Sequence, residues 1–112
     1  MKEVIKKWGK EVIIVNEPEY CGKLLYVDKG ASGSLHYHPK KKETFYLLEG
    51  MINLEYDDAL FKMFESLAGS ITLLPNTVHR FTAILDSILL EISTYHDDDD
   101  VVRLEPSRSA NE

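Results

Sequence analysis

Residues Gly30 to Gly50 read G-A-S-G-S-L-H-Y-H-P-K-K-K-E-T-F-Y-L-L-E-G, and the fold is decided here. His36 and His38 are two apart, so on a β-strand both imidazoles point to one face. Pro39 has no amide hydrogen to give a ladder and ends that strand. Lys40, Lys41 and Lys42 make a polar turn, and Glu43 opens an apolar run in which Glu43, Phe45 and Leu47 share a face. Paired as a hairpin, the two strands would return Glu43 toward His36 and His38. Two imidazoles and a carboxylate around one interior point suit a divalent transition metal: Zn, Mn, Fe, Co or Ni. His79 is the candidate for a fourth ligand. Without such a partner, two histidines flanking a tyrosine on an apolar strand would be costly to bury.

Gly30, His36, His38, Glu43 and Gly50 fall on every fixed position of the first motif of the cupin superfamily, which the stretch closely resembles. The resemblance implies an all-β, single-domain cupin β-barrel of the jelly-roll type, with the metal on His36, His38 and Glu43. A metal-free cupin is the alternative. Gly69 to Ala83 (G-S-I-T-L-L-P-N-T-V-H-R-F-T-A) resembles the second cupin motif, with its proline turn at Pro75 and its closing histidine at His79. The glycine-to-histidine spacing is one residue short, and Ala83 stands where the motif has asparagine. Asn76 replaces the turn glycine and tolerates the left-handed conformation such a turn needs. The resemblance carries His79 over as the fourth ligand.

Further along, L-E-I-S-T-Y-H-D-D-D-D-V-V-R-L-E (Leu90 to Glu105) is similar to the end of the cupin domain in type II mannose-6-phosphate isomerases and D-lyxose isomerase-like sugar isomerases. Trp8-Gly9-Lys10 resembles the start of that module, and Lys23 falls in its K-x-x-x-V-like strand. The bifunctional members of that family also carry a nucleotidyltransferase domain, and none of its motifs is read here.

The 112 residues predict one domain spanning 1–112, with an N-terminal arm at 1–10 and a frayed tail at 105–112. A hydrophobic fraction of 44% with 29% charged residues reads as soluble and globular. The net charge of −6 argues against nucleic acid, whose phosphates need a dense basic surface. The single cysteine, Cys21, permits no intrachain disulfide and fits a reducing compartment. The start of the chain lacks the apolar core of a signal peptide, and no apolar run approaches the ~20 residues of a membrane span. A cytoplasmic protein without membrane contact is expected.

Short strands are expected at 11–15, 22–29, 43–49, 51–56, 60–64, 70–74, 79–83 and 86–94, with a last one at 101–104 and turn residues between them. No amphipathic helix is apparent. Asp97 to Asp100 reads as a solvated loop rather than a calcium site, because it lacks the alternating ligands and the glycine of an EF-hand. Trp8 reads as a core or dimer anchor. Trp8 with Val12 to Val15 offers an apolar edge strand that a homodimer would cover.

For function, an aldose–ketose isomerase acting on a sugar or sugar phosphate fits a metal that polarises a carbonyl beside a base. Glu91, amid apolar residues in the longest strand, is either that base or an outward carboxylate. Lys23 and Arg80 are either groups that hold substrate or ordinary surface charges. Lys40 to Lys42 form a solvated turn or an anion-attracting rim. A non-catalytic sugar- or small-molecule-binding cupin is the alternative function. An iron-dependent dioxygenase is a further one, which no residue selects.

Overall fold

The computed structural model describes residues 1–64 and 69–112. It contains strands β1 (Lys2–Lys6), β2 (Gly9–Glu17), β3 (Tyr20–Val27), β4 (Leu35–Tyr37), β5 (Glu43–Glu49), β6 (Met51–Tyr56), β7 (Ala59–Phe64), β8 (Ser70–Leu73), β9 (His79–Ala83), β10 (Ser87–Ser93) and β11 (Val102–Glu105). No helix occurs among the described residues, so none there is long and apolar enough to cross a membrane. Two antiparallel sheets form, one in the order β1-β2-β3-β10-β5-β8 and the other β11-β4-β9-β6-β7. Their hydrogen bonds do not close them into one continuous barrel, but the architecture is the cupin jelly roll.

Period-two alternation sets what each sheet buries. On β3, Cys21, Lys23, Leu25 and Val27 are buried while the residues between them are half-buried. On β6, Ile52 and Leu54 point in, with Asn53 and Glu55 on the other side. The core cluster includes Leu25, Val27, Leu47, Ile52, Leu54 and Leu89, together with Phe45 and Phe81. Asn76 takes a φ of 69°, the left-handed turn conformation expected of it, and its amide donates to the His38 carbonyl at 2.8 Å. Gly9 has a φ of 145°, and a Cβ there would run into the Tyr26 carbonyl oxygen.

Four expectations are corrected. His36 and Glu43 do not sit on a hairpin: β4 belongs to the five-stranded sheet and β5 to the six-stranded one. Pro39 and the lysine turn carry the chain from one sheet to the other, so Glu43 faces the histidines across the interior. Residues 1–10 are not a loose arm, because β1 pairs with β2 from Lys2↔Ile13 to Lys6↔Gly9. That pairing covers the edge of β2, so the edge expected to recruit a second chain is already occupied. Trp8 is core, packed edge-on to Phe81 with ring centroids 5.2 Å apart. Finally, residues 105–112 are tied down rather than frayed. Ser32 and Arg108 exchange backbone hydrogen bonds of 3.0 and 2.9 Å, and Lys7 reaches Glu112 at 3.4 Å.

Candidate metal centre

Three histidines and a glutamate meet between the sheets. β4 supplies His36, the residue just after β4 is His38 before Pro39, β9 opens with His79, and β5 opens with Glu43. His36 and His79 are cross-strand partners. Each imidazole is oriented by a backbone carbonyl: His36 Nδ1 to Ser34 O at 2.9 Å, His38 Nδ1 to Asp100 O at 2.7 Å, and His79 Nδ1 to Thr77 O at 2.9 Å. A carbonyl oxygen only accepts, so each Nδ1 carries the proton and each Nε2 keeps a lone pair.

Those lone pairs converge. His36 Nε2 lies 3.1 Å from His38 Nε2, although neither has a hydrogen to give in that tautomer. Glu43 Oε2 lies 3.5 Å from the Nε2 of both His38 and His79. Ligands about 2.0–2.1 Å from one divalent ion stand at this kind of separation. The three histidines offer donor atoms within 4.8 Å of one another. The donor set fits a divalent transition metal, with Glu43 beside it.

Burial tunes these groups. Burial, reinforced by His79, lowers His36 to about 3. Burial, reinforced by Lys41, lowers His38 to about 4, and burial also lowers His79. All three imidazoles are therefore neutral at neutral pH, the form that binds a metal. Burial and the Glu91 carboxylate raise Glu43 to about 8. Burial pushes Glu91 up too, but Lys41 and Lys23 outweigh it and hold Glu91 down at about 2. The two carboxyls part because Lys41 Nζ is 3.0 Å from Glu91 Oε2 and 3.9 Å from Glu43 Oε1. The nearer carboxylate keeps its charge, and the farther one takes a proton when no metal is bound.

Lys41 is the residue that sequence reading underrated. The middle lysine of the solvated turn is 3% exposed. Its ammonium donates to Glu91 and to His96 Nδ1 at 3.2 Å. Asp100, from the run expected to be solvated, is buried as well, and its carboxylate accepts from the amides of Lys40 and Lys41 at 2.9 and 3.0 Å. The acidic run thus clamps the lysine turn and orients His38 at once. Lys23 is no surface charge: it is 2% exposed and pairs with Glu11 at 3.0 Å. The available signal for both was a charge on the inward face of a strand, Glu11 with Ile13 and Lys23 with Leu25. No comparable pattern marks His96 or Asp100. Glu91 points inward and is buried.

The cavity above the histidines has a volume of about 470 Å³ and includes Lys23, Phe45, Phe81 and Glu91 in its wall. Arg80 is not in that wall. It lies on the opposite face of β9 and donates to Gly33 O at 3.0 Å, to Glu105 Oε1 at 2.9 Å and to Pro106 O at 3.2 Å. Of the two cationic candidates, the structure therefore brings Lys23 to the site and sets Arg80 to holding the tail.

A family model described as "Mannose-6-phosphate isomerase C-terminal" matches residues 1–106. The chain belongs to that family. It is 30% identical over 108 residues to a mannose-1-phosphate guanylyltransferase of Salmonella muenchen, an alignment covering 92% of this chain and 22% of that protein. The chain thus spans about a fifth of the curated relative it matches. Among solved structures, an RmlC-like cupin from Shewanella frigidimarina superposes with a TM-score of 0.77 at 22% identity, covering 87% of this chain and 85% of that one. KdgF from Halomonas sp. superposes with a TM-score of 0.78 at 18% identity, covering 88% and 90%. Pac13, described as a nucleoside dehydratase, gives 0.77 at 15% identity, covering 99% and 89%. At these identities the likeness establishes the cupin fold.

Proposed function

We propose that this member of the mannose-6-phosphate isomerase C-terminal family is a metal-dependent aldose–ketose isomerase for a small sugar or sugar phosphate. The observation that supports it most is the convergence of three imidazole lone pairs beside Glu43 in the wall of a polar cavity. A divalent ion on His36, His38, His79 and Glu43 would supply Lewis acidity toward a carbonyl and its neighbouring hydroxyl.

The chain's own residues then have separate tasks. Glu91 is the proposed base. Its Oε2 accepts from Lys41, while Oε1 has no hydrogen-bond partner among the described residues. That carboxylate takes the proton from C2, and the C–H electrons form the C1–C2 double bond as the C1 carbonyl pair moves onto O1, which takes the O2 hydroxyl proton; the C2–O2 carbonyl then forms as C1 takes the proton back from Glu91. Lys41 keeps Glu91 ionised and in place. Phe45 and Phe81 line the wall and displace water. Lys2 and Arg103, exposed in the cavity wall, carry no ion-pair partner among the described residues. They replace Lys23 and Arg80 as the cations proposed to hold an anionic substituent, since Lys23 is neutralised by Glu11.

Ketose appearance from mannose, lyxose and their phosphates, catalysed by metal-loaded protein, tests the reading. Glu91→Gln should leave metal content unchanged and lower turnover about 100-fold or more. Arg103→Ala should raise KM for a phosphorylated sugar more than for a neutral one. One observation favours a second reading, a non-catalytic sugar-binding cupin: two lysines lower the basicity of Glu91. Binding of these sugars without any ketose would select it.

A further inference from the structure

His96 lies outside the ligand set, and the proposed reaction leaves it without a task. All four of its polar atoms are nevertheless engaged. The Asn16 carboxamide, 80 residues away in the chain, grips both backbone groups. Asn16 Nδ2 donates to the His96 carbonyl and the His96 amide donates to Asn16 Oδ1, each at 2.9 Å. The ring reaches the cavity wall, where Nδ1 lies 3.2 Å from Lys41 Nζ and Nε2 lies 2.8 Å from Asp98 Oδ1. An ammonium only donates and a carboxylate only accepts, so Nδ1 holds the lone pair and Nε2 the proton. That tautomer is the reverse of the one in His36, His38 and His79. Burial, reinforced by Lys23 and Lys41, lowers His96 from its ordinary value, so the ring is neutral at neutral pH.

We infer, on the reading of Glu43 as a metal ligand, that His96 is a positioning residue: it holds the Lys41 ammonium on Glu91 and out of hydrogen-bond reach of Glu43. Lys41 Nζ is buried and has three hydrogens to place. Glu91 Oε2 accepts one at 3.0 Å and His96 Nδ1 a second at 3.2 Å. Glu43 Oε1 stands at 3.9 Å, close enough for an ion pair but too far for a hydrogen bond. The other oxygen of Glu43, Oε2, is the one 3.5 Å from the Nε2 atoms of His38 and His79. Glu43 is thus divided, with one oxygen toward the metal position and one toward Lys41. A shift of about 1 Å would bring the ammonium to hydrogen-bond distance of Oε1. A buried donor that loses its acceptor drives such a shift, because left unpaired it keeps its full desolvation cost. The ammonium would then draw on the carboxylate that a divalent ion needs, and would stand closer to that ion and repel it. His96 removes the cause by accepting the hydrogen itself. Asn16, at the end of β2, fixes the place from which it does so by tying the segment after β10 through both backbone groups of His96.

The test is zinc affinity by titration calorimetry, together with the His96 tautomer by long-range proton–nitrogen NMR. In metal-free wild type the His96 ring should carry its proton on Nε2, whereas the three ligand histidines carry theirs on Nδ1. His96→Leu, with an unchanged circular dichroism spectrum, should weaken zinc binding about tenfold, the scale on which changes around metal ligands act. His96→Asn, whose carboxamide oxygen can stand where Nδ1 does, should restore most of the affinity. With Lys41→Met and Glu91→Leu already in place there is no ammonium to redirect, so adding His96→Leu should leave zinc affinity unchanged. An Nδ1 proton on His96, a His96→Leu variant that binds zinc as tightly as wild type, a His96→Asn variant no better than His96→Leu, or an equal loss without Lys41 would overturn the inference. Wild type that takes up no zinc would overturn the metal-centre reading with it. Turnover enters none of these measurements, so failure here leaves the isomerase reading intact.

Discussion

The Nε2 atoms of His36 and His38 stand 3.1 Å apart with no proton to share. That contact is repulsive unless a cation is shared between them. His36→Ala or His38→Ala should therefore abolish tight binding of a divalent metal, whereas Glu43→Gln, which keeps a neutral oxygen in place, should weaken it by less. Titration calorimetry with zinc checks both. Lys41 poses the other question at this scale. It is a buried cation paired with a buried anion, so Lys41→Met deprives Glu91 of the ammonium 3.0 Å from its Oε2. Loss of one partner of a buried pair costs about 3–5 kcal/mol, while replacing both with apolar residues is often neutral. In chemical denaturation, Lys41→Met should be markedly less stable than wild type, and Lys41→Met with Glu91→Leu should regain most of the loss. A single variant as stable as wild type would show that Glu91 does not depend on Lys41 for its charge.

Among the elements, the segment from Asp97 to the C-terminus has the widest reach. Asp100 clamps the lysine turn and orients His38, β11 pairs with β4, and Arg80 fastens the stretch that follows. Arg80→Met should speed amide exchange in residues 105–112 without changing metal content. Retained exchange protection with lost metal would instead put Arg80 at the site. The sequence marked β9 and β10 as strands from their alternation, and marked His79 from its motif. It did not reveal that Arg80, one residue on, would be buried on the other face. An inward or outward place follows from alternation, but the partner that lets a charge be buried comes from a segment 25 residues away.

For the molecule as a whole, the buried imidazoles couple stability to pH. Their protons are refused by the fold: His36 falls from 6.5 to about 3 and His38 to about 4, and His79 also falls. Between pH 6.5 and 4 the unfolded chain binds protons that the folded chain does not, so this contribution to stability is lost as pH falls through that window. Glu43 acts in the opposite sense. Raised from 4.5 to about 8, it binds a proton when folded, and its contribution is lost as pH rises toward 8. Three imidazoles outweigh one carboxyl between pH 4.5 and 6.5. The urea midpoint of metal-free protein should rise with pH over that range, and a falling midpoint would mean that the folded imidazoles are protonated.

The sequence by itself determined the all-β architecture, most strand positions, the inward faces and the four candidate ligands. These are local properties, set by period-two alternation, by proline and glycine at the turns, and by the spacing of His36, His38 and Glu43. The tertiary structure alone decided that Glu43 meets the histidines across two sheets rather than along a hairpin. It also decided that Lys41, Lys23, Arg80 and Asp100 are buried, and that β1 and the tail are fastened to the body. The physical reason is that a charge can be buried only beside a compensating group. For Lys41 that group, Glu91, is 50 residues away in the chain, so only the folded topology brings the two together.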